Sequence, residues 1–289
     1  MRTGDGGGGV TGSALQHDRP RAADPARDAG RRGLPRHAPR VLMYHYFGAA
    51  PGADPERLFV TRERFAAQLD HLQSSGWHAL SLDGYLAALD GAPTPRRSYL
   101  LTIDDGHESV GRLAAPMLHE RGIPSVLFVC PGLLGGRAGW TQHYPEERLS
   151  PADELAALPE LGMELGVHSW DHKRMFGLGE AELDRHVRRS REALHAATGV
   201  SARSFAYPFG THDLAARTAV AAAGYDVAFA VAREHGRFAV DRVFVQSTDS
   251  LTAFTLKLTR TYRAVSRAGG RAWRVRHRVR SAAAAARRR

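Results

Sequence analysis

Cysteine is nearly absent: Cys130 is the only one in 289 residues. A lone thiol forms no internal disulfide, so nothing in the chain requires an oxidising compartment. Cys130 follows a β-branched apolar stretch and reads as a buried small hydrophobe. Long apolar runs are missing too. None approaches the ~18–20 residues a membrane span needs, and the first forty residues lack the apolar core of a secretory leader. The expected location is therefore cytoplasmic, or peripheral at the inner membrane face. Residues 1–39 have almost no large apolar side chains and are rich in Gly, Ala, Arg, Asp and Pro. Such a segment cannot bury enough surface to offset its ordering entropy and is expected to be disordered.

Acidic residues are absent from 251–289, which carry twelve Lys/Arg; residues 1–40 hold eight Arg against four Asp. With the total at +10, the body between them carries −6. The high basicity belongs to the ends, and an anionic surface or polymer is a partner for the tail alone. No specific nucleic-acid partner follows, and the oligomeric state is not legible. Leu251, Phe254, Leu258, Tyr262 and Val265 recur at helical spacing, so a terminal helix is expected to dock before the basic tail.

Between the ends, strand and helix signals alternate. "RVLMYHYF" (Arg40–Phe47) reads as a buried strand. Thr61–Gly76 opens with a capping threonine, places Phe65, Leu69 and Leu72 on one face, and ends in glycine. Further strands are expected within "HALSL", "SYLLTIDDG", "PSVLFV", "MELGVH", "SFAYPFG", "YDVAFAV" and "RVFV", with helices near 108–120, 153–158, 179–199 and 212–223. Apolar strands separated by helices imply a parallel sheet covered on both faces. The expected class is α/β: a distorted, TIM-like (β/α) barrel of about seven parallel strands over residues 40–250, with an open doubly wound sheet as the alternative. In either, chemistry gathers at the carboxyl ends of the strands.

Three polar clusters stand at such ends: "DDG" (Asp104–Gly106), "HSWDH" (His168–His172) and "YPFG" (Tyr207–Gly210). Adjacent carboxylates repel unless something positive gathers them. Two histidines four residues apart on one turn reach a single ion. Two His and one Asp make a common divalent-metal site that leaves a position open, and a second carboxylate beside it supplies a general base for water.

These residues resemble the polysaccharide deacetylases with the chitooligosaccharide-deacetylase (NodB) homology domain, carbohydrate esterase family 4, over about residues 40–250. "TIDDG" is similar to the family motif T-F-D-D-G, which implies Asp104 as catalytic base and Asp105 as metal ligand. "HSWDH" matches H-[S/T]-x-x-H, which implies His168 and His172 as the other ligands. "AYPFG" is similar to R-x-P-Y-G, so the backbone N–H of Phe209 would help hold the oxyanion. There Ala206 stands where the family has arginine, which removes the partner that orients the catalytic aspartate. "VLMYH" and "FAYPFG" resemble the subgroup acting on poly-N-acetylglucosamine, which places His45 in the site. The family's late histidine, its general acid, has no counterpart after Val240.

The resemblance implies a metal, Zn²⁺ with Co²⁺ or Ni²⁺ as substitutes, and hydrolysis of N-acetyl groups on a polysaccharide, oligosaccharide or glycan precursor. Trp170, Tyr207, Pro208 and Phe209 are expected near the substrate. The competing expectations are hydrolysis of a small non-peptide amide and a degenerate, non-catalytic carbohydrate-binding protein.

Overall fold

The protein was described from a computed structural model, which covers residues 38–141, 143–144, 146–231, 236–259 and 262. Most of the expected disordered segment, the basic tail and Val265 lie outside the described residues. In chain order the elements are β1 (Arg40–Tyr44), β2 (Tyr46–Phe47), β3 (Phe59–Val60), α1 (Arg62–Ser74), β4 (His78–Ala79), α2 (Leu82–Leu89), β5 (Ser98–Ile103), α3 (Ala115–Glu120), β6 (Ser125–Val129), α4 (Ala152–Ala157), β7 (Met163–Val167), α5 (Glu180–Asp184), α6 (Ser190–Thr198), β8 (Ser204–Ala206), α7 (Leu214–Ala222), β9 (Val227–Ala230), β10 (Val240–Asp241), β11 (Val243–Phe244) and α8 (Leu251–Lys257).

The main sheet runs β10-β9-β8-β7-β6-β5-β1-β11, and every pairing in it is parallel. Its two outer members are consecutive in sequence, separated only by Arg242. The stretch Val240–Asp241 pairs with β9 and Val243–Phe244 pairs with β1. One short segment therefore bridges both edges and nearly closes the sheet into a barrel of seven staves, as the strand pattern predicts. Closure leaves little exposed sheet edge.

Two apolar layers follow from the alternation of side chains along each strand. Val41, Leu100, Val126, Phe128, Val227, Phe229 and Val240 point together and meet Leu82, Tyr85 and Leu86 of α2. Leu42, Leu101, Ile103, Leu127, Leu165 and Phe205 form the outer layer with Phe65, Leu69 and Leu72 of α1. Helix α1 begins as predicted, the Thr61 side chain accepting from the N–H of Arg64.

The structure corrects three expectations. "RVLMYHYF" is not one strand: it breaks at His45, and β2 pairs with β3 in a separate two-stranded sheet. Helix α2, absent from the predicted elements, is started by Ser81 and fills one end of the barrel. The terminal helix is shorter than its apolar pattern. Phe254 and Leu258 are buried, but Leu251 is 44% exposed and Tyr262 also faces out. No helix of the described residues is long and apolar enough to cross a membrane.

Candidate active site

The three motifs emerge at one end of the barrel. Asp104 and Asp105 follow β5, His168 follows β7, and Tyr207–Gly210 follows β8. Each leaves its strand through a strained turn. Among the described residues five non-glycines have positive φ, and four are Asp105 (77°), Ser169 (63°), His172 (62°) and Phe209 (57°). Left-handed conformations at such residues cost free energy and persist only where surrounding packing enforces them. Glycine is required beside two of them. At Gly106 (φ 76°) an added Cβ would lie 2.9 Å from Val129 Cγ1; at Gly210 (φ 63°) it would lie 2.6 Å from the backbone nitrogen of Val231.

These turns bring Asp105, His168 and His172 together, with one potential ligand atom from each within 4.8 Å of the others. Asp105 Oδ1 lies 3.2 Å from His172 Nε2 and 3.6 Å from His168 Nε2. All three residues are buried. His168 Nδ1 meets the Ala206 carbonyl at 2.7 Å, so the proton sits on Nδ1 and the lone pair of Nε2 faces Asp105. Burial and the nearby His172 lower the His168 pKa to about 4, with Asp104 and Asp105 opposing, and so keep the ring neutral. Asp105 Oδ1 is buried without a well-formed hydrogen bond. Burial alone would raise its pKa, but His172, His45 and His168 outweigh that and hold the carboxyl ionised. A buried carboxylate oxygen faced by two imidazole nitrogens is a donor set that fits a divalent metal. The carbonyl that orients His168 is the kind of outer partner such ligands use.

Asp104 is held differently. Arg242 donates to both its oxygens at 2.7 Å, Nη1 to Oδ1 and Nη2 to Oδ2, and Nη1 also reaches Thr102 Oγ1 at 3.2 Å. Thr102 Oγ1 in turn donates to the Leu42 carbonyl. The guanidinium is fully buried and lies over the rings of Phe128 and Phe229, 5.7 and 6.0 Å from their centroids. Burial raises the Asp104 pKa, yet Arg242 and His168 outweigh it and the carboxyl stays ionised. The expectation that Ala206 leaves the aspartate without a guanidinium is therefore corrected: Arg242, from the strand that closes the barrel, supplies one.

His45 stands at the break between β1 and β2, with its Nδ1 buried and unpartnered among the described residues. Its ring meets Phe244 edge-on at 5.3 Å. Burial lowers its pKa, with Asp105 and Asp104 pulling the other way. Phe209 is 47% exposed and touches His172 edge-on, with the Arg174 guanidinium 3.8 Å above its ring centroid. Trp140 stacks on His172, ring centroids 4.3 Å apart. Trp170 is half-buried under Arg185, and its backbone N–H donates to His186 Nδ1 at 3.3 Å. Tyr207 is not at the mouth: it is fully buried, its hydroxyl donating to the Phe238 carbonyl and its ring packing on Phe205 and His212. Pro208 is buried beside it. Cys130 is buried behind the site, its thiol donating to the His168 carbonyl at 3.1 Å.

Residues 91–228 match the family model described as Polysaccharide deacetylase. The chain carries a polysaccharide deacetylase domain. The match includes both aspartates, both histidines and Phe209, whereas His45 and Arg242 lie outside it. A Bacillus subtilis (strain 168) protein named "Putative polysaccharide deacetylase YxkH" is 24% identical over 220 residues, 74% of each chain. The domain shares its fold with the solved structure of Streptococcus pyogenes deacetylase PplD in complex with acetate, at TM-score 0.66 and 18% identity over 76% of this chain and 98% of that one. It is likewise similar to IcaB from Ammonifex degensii, at TM-score 0.63 and 23% identity over 76% and 97%.

Proposed function

We propose that this deacetylase domain is a metal-dependent hydrolase that removes N-acetyl groups from an N-acetylated polysaccharide, oligosaccharide or glycan precursor. The observation that carries the proposal is the division of labour between neighbouring carboxylates. Asp105 faces two imidazole nitrogens, while Asp104 is held by a guanidinium on its other side.

Asp105, His168 and His172 would hold a divalent cation, Zn²⁺ or in its place Co²⁺ or Ni²⁺, which when bound polarises the acetamide carbonyl and acidifies water. Asp104 accepts the proton of the attacking water. The paired donors of Arg242 keep that carboxylate ionised and fix its plane, so the base needs no reorganisation when the proton moves. The Phe209 N–H, on the strained turn after β8, donates to the oxyanion as it forms. Collapse releases acetate and a sugar amine. Asp104, having taken a proton, and His45 beside it are the two groups able to return one to the leaving nitrogen. Phe209, which is 47% exposed, and the half-buried Trp140 offer apolar surface beside His172 for pyranose rings.

The test is acetate release by metal-loaded protein from N-acetylglucosamine oligomers of increasing length, alongside small acetamides. Turnover that rises with chain length supports the proposal. Hydrolysis confined to small amides, or full activity in Asp104→Asn, overturns it.

A further inference from the structure

The turn that joins His168 to His172 is strained, with Ser169 at φ 63° and His172 at φ 62°. Such conformations last only while surrounding contacts enforce them. Three bonds tie the turn to the end of β6 and the residues after it. The His168 N–H donates to the Val129 carbonyl at 2.7 Å, and the Gly132 N–H donates to the Trp170 carbonyl at 2.8 Å. The Cys130 thiol donates to the His168 carbonyl at 3.1 Å. The indole of Trp170 packs on Gly132, where a Cβ would have no room. A fourth bond comes from the helical layer: the Trp170 backbone N–H donates to His186 Nδ1 at 3.3 Å, sixteen positions along the chain.

His186 is 2% exposed. It lies on the π-helical turn Arg185–Arg189, which joins α5 to α6 and leaves Arg185, Arg188 and Arg189 exposed. Single π turns of this kind recur at functional sites. The buried positions around His186 include Leu183 and Val187, both part of the outer apolar layer. A histidine among such neighbours is costly unless a ring nitrogen finds a partner. Burial lowers its pKa, with Asp171 opposing, and so favours the neutral ring. Asp171 Oδ1 lies 3.6 Å from Nδ1, beyond hydrogen-bond range, so the Trp170 amide is the partner and the ring proton sits on Nε2.

We infer that His186 is a positioning residue for the metal ligands: its Nδ1 holds the Trp170 amide and so fixes the turn that sets His172 against His168. The inference rests on the reading of Asp105, His168 and His172 as a metal site. His186 acts through the backbone of the turn. Loss of an outer partner of this kind costs about 10–100-fold in metal affinity.

The test compares His186→Asn, whose Oδ1 can take the place of Nδ1, with His186→Gln, whose oxygen sits one bond further from the backbone. Zn²⁺ affinity of the full chain is read by isothermal titration, and the visible bands of the Co²⁺-loaded protein report ligand geometry. His186→Gln is expected to weaken Zn²⁺ binding about 10–100-fold and to shift the Co²⁺ bands. His186→Asn should stay near the wild-type affinity with its bands in place. Thermal melting of the metal-free variants should find the two equally stable, so that packing does not account for the difference. Equal Zn²⁺ affinity in both variants, or a loss of affinity that follows a loss of Tm, would overturn the inference while leaving the metal site standing. A wild-type protein that fails to bind Zn²⁺ would overturn the metal reading itself, and this inference with it.

Discussion

Arg242 grips Asp104 from 138 positions away in the sequence, both of its terminal nitrogens donating at 2.7 Å to separate carboxylate oxygens. The pair is buried and sits at the point where the barrel closes. Substituting Arg242 should therefore disturb both chemistry and stability. Arg242→Lys replaces a planar fork with a point donor, so the plane of the carboxylate is no longer fixed. We expect kcat to fall about 10²-fold with a smaller change in KM. Arg242→Ala leaves a buried charge unpaired and should cost about 3–5 kcal/mol of stability, read from denaturant unfolding.

The two adjacent aspartates should separate cleanly under mutation. Asp104→Asn is expected to keep metal affinity and lose nearly all turnover, because it removes the base and leaves the ligand set. His168→Ala should lose both. Isothermal titration with Zn²⁺ beside an acetate assay distinguishes them.

Metal should stabilise the fold. Asp105 Oδ1 is buried between two imidazole nitrogens, an arrangement that gains on binding a cation and strains on losing one. Chelator treatment should lower Tm and abolish turnover, and Zn²⁺ should restore both. At a thousandfold excess over Kd the stabilisation should be about 4 kcal/mol. A Tm indifferent to Zn²⁺ would contradict this metal site.

The two motif glycines should respond unequally to alanine. At Gly106 the new methyl meets a side chain, Val129, which can shift; at Gly210 it meets the backbone of Val231, which cannot. Both positions also demand positive φ. Gly210→Ala should thus be the more destabilising, by about 1–3 kcal/mol or more, in thermal unfolding.

Acid should uncouple a loop that lies outside the ligand set. Asp54 accepts from the amides of Leu58 and Phe59 and from the Tyr144 hydroxyl. Burial raises its pKa, but these bonds and one from Ser247 outweigh that and lower it. A depressed carboxyl contributes stability that is present above its unfolded pKa, about 4, and is lost as pH falls through the lower folded value. Asp54→Ala should cost about 1–3 kcal/mol near neutrality. The gap in Tm from the wild type should narrow below about pH 4.

Much of this architecture was legible from local signals. Strand ends carrying "DDG" and "HSWDH" marked the catalytic end of the sheet, and Thr61 marked the start of α1, because caps and strand termini depend on a few neighbouring residues. What escaped was long-range. Arg242 lies in a stretch that reads only as a strand, and its partner is fixed by which sheet edges that strand joins. Helix α2 is short and contains Gly84, and its helical state is supported by burial of Leu82, Tyr85 and Leu86 inside the barrel. Tyr207 sits among motif residues, yet its direction is set by the β8 pleat, which sends it into the core while Phe209 turns outward.

The segment Val240–Phe244 splits its hydrogen bonding between the two free edges of the sheet, with the guanidinium mounted at the midpoint. Alignment of the general base is thereby tied to completion of the cylinder. Asp105 and His168, by contrast, leave strands β5 and β7, which pair away from this seam. In the proposed mechanism, Asp104 thus depends on the closing segment for both of its guanidinium donors.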